Sequence, residues 1–139
     1  PAPDADLLSA LVTPPDTLAH DSHVGTTLST DSFYAGQGRP GYDGYRPPHA
    51  AEVVDELRAA GVTNVEMEAS AILTLARLYG LRAGAVCTVY ANRGTGAFEV
   101  TGESRAAETA SLAVHLLARM EVAKREAGVD RWHAGLSLS

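Results

Sequence analysis

From Ala50 to Ala91 the chain alternates between helical and strand patterns, and a glycine closes each helical stretch. Ala50–Ala60 puts Val53, Val54, Leu57 and Ala60 on one face and Glu52, Asp55, Glu56 and Arg58 on the other, with Gly61 as a C-terminal cap. Val62–Val65 reads as a short strand. Glu68–Tyr79 is apolar nearly all round and ends at Gly80, which predicts a buried helix. Ala83–Ala91 is a continuous apolar run, the pattern of a strand covered on both faces. This alternation selects an α/β architecture, a sheet with helices against it.

The flanks extend the pattern. Leu7, Leu8, Leu11 and Val12 predict a helix over Asp4–Val12, stopped by Pro14 and Pro15. His23–Ser29 is β-branched and apolar around Gly25 and predicts a strand. Asp31–Pro48 holds four Gly, three Pro and three Tyr, a long irregular loop of the kind that more often binds or covers a ligand than merely connects. Glu103–Glu126 predicts a long amphipathic helix whose inward stripe carries Ala110, Val114, Leu117 and Glu121. No element is predicted for Trp132–Ser139. Three strands are few for a self-sufficient sheet, and the chain opens on Pro1 without an initiator Met. Both features lead us to expect a portion of a larger fold.

Composition removes several function classes. The net charge is −6 over 139 residues, with acidic and basic residues interspersed, which opposes binding to a nucleic-acid backbone. The longest apolar run is far below the roughly 20 residues that span a bilayer, so no membrane partner is expected. Cys87 is the single cysteine, which rules out a disulfide within one chain and points to a reducing, cytoplasmic setting. The five histidines show no metal-ligand spacing, and no G-x-S-x-G elbow occurs. A literal G-x-G-x-x-G at Gly36, Gly38 and Gly41 is a decoy: no strand runs straight into it, Pro40 interrupts it, and no helix follows at once.

Two short segments carry the chemistry. Phe33, Gln37 and Arg39 put an aromatic ring, an amide and a guanidinium on the glycine-rich loop. The amide both donates and accepts, which suits the adjacent N–H and C=O of a pyrimidine, and the guanidinium offers a fork of donors to a carbonyl oxygen. Glu66, Met67 and Glu68 sit where a strand runs into a helix. One reading is that these carboxylates complement the helix macrodipole; the other is that one of them accepts hydrogen bonds from vicinal sugar hydroxyls. Met67 would pack on a sugar face or fill the core. Arg93 follows the apolar strand, beyond whose carboxyl end an open α/β sheet binds ligands. Such a set suits a flat heterocycle joined to a sugar, a nucleoside.

In their order and spacing, these segments together with Val89–Arg93 resemble the uridine phosphorylase branch of the nucleoside phosphorylase family, over about Pro3 to Met120. The resemblance implies an α/β, three-layer fold around a mixed, distorted sheet, of which residues 1–139 would be the C-terminal portion of a single domain. It implies phosphorolysis of a nucleoside to free base and ribose 1-phosphate, with inorganic phosphate as co-substrate and no cofactor. It assigns Gln37 and Arg39 as the catalytic, uracil-recognising pair and Phe33 as the ring lining the base pocket. Glu68 becomes the acceptor for the ribose hydroxyls, beside Glu66, and Met67 the residue packing on the sugar. Tyr90, Ala91 and Arg93 form the rim of the base pocket. Purine-specific relatives carry a Ser-Asp pair where Tyr90-Ala91 stands here, so a pyrimidine is expected.

The family's phosphate-binding glycine-rich loop, its arginines and a partner-subunit histidine belong to its N-terminal half and have no counterpart here. A homo-oligomer, dimer or hexamer, or a complementing N-terminal half is therefore expected as partner. Two alternatives to phosphorolysis are a hydrolytic nucleosidase and a catalytically incomplete nucleoside-binding or assembly fragment.

Overall fold

A computed structural model describes residues 1–13 and 22–136. The proline stop at Pro14 and Pro15 and the last three tail residues lie outside the described residues. Helix α1 (Ala5–Leu11) starts on Asp4, whose carboxylate accepts from the Leu7 amide at 2.9 Å, an N-cap. Strand β1 (Thr26–Ser29) follows, then the long loop with two short 3₁₀ turns, Ala35–Gln37 and Tyr42–Gly44. Helix α2 (Val53–Ala59) leads through Gly61, at φ 72°, into strand β2 (Val62–Glu66). Helices α3 (Ala69–Leu78) and α4 (Glu103–Ala127) complete the order.

β1 and β2 pair in parallel, Ser29 opposite Glu66 and Leu28 opposite Val65, with an irregularity between Thr26 and Thr27. Helix α2 lies in the connection between them, as parallel pairing requires. The chain is thus α/β around a small open parallel sheet.

The core lies elsewhere, between α1 and α4. Ala10, Ala113, Leu117 and Met120 are buried there, with Leu7, Leu11, Leu116 and Trp132 packed around them. Trp132 thereby gives the tail a place that its sequence did not reveal. The inward stripe of α4 is also rotated from the one expected. Leu117 is buried, but Val114 is exposed, and Ala113, Met120, Ala123 and Lys124 take the remaining buried positions. Counting Glu121 with the apolar residues misplaced the seam, because the carboxylate sits at its border in an ion-pair cluster. There Lys124 Nζ lies 2.7 Å from Asp6 Oδ2 and 2.6 Å from Glu121 Oε1, while Arg82 Nη1 is 2.6 Å from the same Glu121 oxygen.

This cluster makes stability depend on pH. Hydrogen bonds to Asp6 and then Glu121 raise the Lys124 ammonium above its ordinary value. The hydrogen bond from Lys124 lowers the Glu121 carboxyl, against a smaller opposing effect of burial. A depressed carboxyl stabilises the fold above its unfolded pKa and ceases to as pH falls through its folded value. Glu121→Gln is therefore expected to cost most near neutrality, and its gap to the parent protein is expected to close only at a pH under the carboxyl's lowered folded value, well below the ordinary glutamate value of about 4.3. Urea midpoints at the two pH values measure this; an equal gap at both would remove the charge from the account.

Two expectations fail. Ala83–Ala91 is extended, but no strand pairs with it among the described residues, and Val89 is 66% exposed. Its end instead folds back as a hairpin: the Glu99 amide donates to the Tyr90 carbonyl at 2.8 Å, the Asn92 amide to the Ala97 carbonyl at 2.9 Å, and Ala91 bridges Phe98. Apolar content announces a buried strand only if neighbours supply the ladder. Nor is α3 buried: Ile72, Leu75 and Leu78 face outward, Leu78 at 75% exposure. The chain exposes 9715 Å², where a compact monomer of its mass exposes about 6,900 Å².

Candidate active site

A cleft of about 690 Å³ opens between the C-terminal end of β2, the hairpin after residue 89 and the glycine-rich loop. That volume is in the range of small-molecule sites. All nine residues singled out from the sequence line it. Phe33, Gln37 and Arg39 form one wall, Glu66, Met67 and Glu68 the end of the strand, and Tyr90, Ala91 and Arg93 the hairpin side.

The loop wall is shaped by Gly38, which stands at φ 64°. A Cβ there would lie 2.5 Å from the Ala50 carbonyl oxygen, so conformation and space both require glycine. The turn buries Gln37, at 9% exposure, and leaves Arg39 beside it. Arg39 Nε makes a long 3.5 Å contact with Gln37 Oε1, and its guanidinium carbon lies 4.5 Å from the Phe33 ring centroid. Tyr34 meets the same ring perpendicularly at 5.3 Å. One face of Phe33 is therefore covered by a cation, and the ring lines the cleft.

Arg93 is more than a surface charge. Its Nη1 donates to the Gln37 carbonyl at 2.8 Å, tying the hairpin to the loop across 56 residues of sequence. Burial, then the nearby Arg39 and Arg46, lowers the Arg93 guanidinium below its ordinary value. This end of the cleft is therefore cationic. Burial, then the Glu103 carboxylate to which Tyr90 hydrogen-bonds, raises the Tyr90 phenol and keeps it neutral.

The two glutamates differ in what they can do. Glu66 Oε1 accepts from the Ser29 hydroxyl, and Oε2 accepts from the amides of Glu68 at 2.8 Å and Ala69 at 2.6 Å. Burial works to raise this carboxyl, but Ser29 and the amides of Ala69, Glu68 and Met67 together outweigh it and hold the group below the usual range. Glu66 thus satisfies orphan donors at the start of α3 while it lines the cleft. Glu68 accepts only a 3.2 Å bond from the Met67 amide among the described residues and is exposed at the cleft. Of the two carboxylates, Glu68 is the one open to a ligand.

Asn64, Cys87 and Phe98 also line the cleft and were not foreseen. Phe98 arrives through the hairpin, which Asn92-Arg93-Gly94-Thr95-Gly96 between apolar runs would have signalled. Burial, then the charges of Glu66 and Glu68, raises the Cys87 thiol, so it is a poor nucleophile.

Residues 1–121 match the family model described as the phosphorylase superfamily. The chain belongs to that superfamily. It is 51% identical over 133 residues to a uridine phosphorylase of Thermococcus kodakarensis, an alignment covering 96% of this chain and 48% of the relative. It is 41% identical over 91 residues to the uridine phosphorylase of Escherichia coli, covering 65% of this chain and 36% of the relative. A guanosine phosphorylase of Halorubrum lacusprofundi is 38% identical over 90 residues, again 65% of this chain and 32% of the relative. The chain spans about half the length, or less, of these relatives. Among the described residues, no helix of this superfamily member is long and apolar enough to cross a membrane.

Proposed function

We propose that this chain supplies the base- and ribose-binding part of a uridine phosphorylase, a pentosyltransferase acting in the cytoplasm. The observation that carries the reading is the convergence of the Gln37–Arg39 pair and the open Glu68 carboxylate on one cleft. The names of the relatives at 51% and 41% identity support it. Inorganic phosphate is the co-substrate, no cofactor takes part, and the phosphate-holding residues come from a complementing N-terminal half.

The barrier lies in breaking the glycosidic bond through an oxocarbenium-like transition state, as negative charge moves onto the base. Donors placed where that charge develops bind the transition state more tightly than the substrate. Arg39 and Gln37 supply them, in the field of Arg93. Glu68 accepts from the ribose hydroxyls and fixes the sugar so that phosphate meets C1′ in line. Tyr90-Ala91 offers no acid to protonate a purine, which favours a pyrimidine.

Two measurements on the natively produced protein test this. Uracil release from uridine is expected to depend strictly on added phosphate; release in its absence would make the enzyme a hydrolase, and guanosine cleavage at a similar rate would overturn the pyrimidine preference. Glu68→Gln is expected to weaken uridine binding by about 1.5–3 kcal/mol, the worth of hydrogen bonds to a charged group, and to leave free uracil unaffected. Equal losses for both ligands in calorimetry would dismiss the ribose role.

A further inference from the structure

We propose that Ser29 is a positioning residue for ribose recognition, acting through Glu66 to set the place of Glu68. The proposal rests on the reading of Glu68 as the ribose acceptor. Ser29 lies at the end of β1, opposite Glu66 in the parallel register, and is not among the residues lining the substrate cleft. Its hydroxyl works in two directions. It donates to Glu66 Oε1 and accepts from the Ser70 amide at 2.9 Å, so one oxygen links the two strand ends to the first turn of α3. The backbone repeats the link, since the Thr30 amide donates to the Glu66 carbonyl at 2.9 Å.

What this holds in place is the turn that carries the ribose acceptor. Glu66 Oε2 binds the amide of Glu68 itself and that of Ala69, so the backbone on both sides of the Glu68 side chain is fixed by the carboxylate that Ser29 orients. Without the hydroxyl, Glu66 loses its only side-chain partner among the described residues, and the Ser70 amide becomes an orphan donor at the helix start. The turn then has freedom that Glu68 must give up again on binding ribose. The base end, held by Gly38 and by the bond from Arg93 to Gln37, has no direct hydrogen bond to Ser29 or the Glu66 carboxylate among the described residues; the link between them runs through Thr30, Ser32 and Ala35.

A double-mutant cycle read by calorimetry on the natively produced protein decides the matter. Ser29→Ala is expected to weaken uridine about tenfold and leave uracil unchanged. In a Glu68→Gln background the same replacement is expected to cause no further loss, because the group it positions has lost its charge. Ser29→Thr, which keeps the hydroxyl, is expected to restore uridine binding. Retained uracil binding by Ser29→Ala shows that the base pocket is folded. Equal loss of both ligands, no loss of either, full additivity with Glu68→Gln, or failure of threonine to rescue would each overturn the proposal. If Glu68→Gln alone spares uridine, the ribose assignment falls instead.

Discussion

Arg39→Ala is expected to lower kcat for uridine phosphorolysis by about 10²–10³, the scale for removing one donor aimed at developing charge. Arg39 is not tied up in an ion pair among the described residues; its contacts are the 3.5 Å approach to Gln37 and the face of Phe33. Its charge is thus available to a ligand in the cleft, which Arg93 also lines. The effect should fall mainly on kcat, since the donor matters most when the base becomes anionic. Arg39→Lys keeps the charge without the planar fork and should recover only part of the rate. Single-turnover kinetics provide the measurement. A near-parental rate for the alanine variant would remove Arg39 from the chemistry.

The largest expected effect on stability is remote from the cleft. Met120 is 1% exposed and is, among the described residues, the one large side chain fully buried, between α1 and α4. Met120→Ala is expected to destabilise by about 2–5 kcal/mol, the lost transfer of the side chain plus the cavity left behind. Leu7, Leu11, Leu116, Leu117 and Trp132 surround the space it would vacate. Against a typical total of about 5–15 kcal/mol the loss is severe. The urea midpoint should fall with an unchanged slope; a shift worth less than about 0.5 kcal/mol would show that α1 and α4 are not the stabilising pair.

The legible parts of the sequence were those whose causes are local. Gly61 after the α2 periodicity marked a helix end and a strand start, and the structure places α2 and β2 there within a few residues. The site motifs were legible because Gln37-Gly38-Arg39 is a turn and Glu66-Met67-Glu68 is a junction, each defined by adjacent residues. The misread features depended on partners. Val86 and Val89 have the composition of a central strand, but no neighbour among the described residues pairs with them. Ile72 and Leu75 would be core if something lay over them. Glu66 and Glu68 look equivalent in sequence, and only Ser29, brought alongside by the β1–β2 register, separates an inward helix cap from an open acceptor.

The run from Val86 to Val89, which no strand pairs with among the described residues, has a practical consequence. Val86 and Val89 stand exposed beside backbone groups that no ladder satisfies among the described residues, and such an edge is a template on which identical chains stack. Colloidal behaviour should follow the shielding of this ribbon more closely than the melting of the α1–α4 core: a lysine at Val89 would improve recovery from dilute refolding without raising the thermal midpoint.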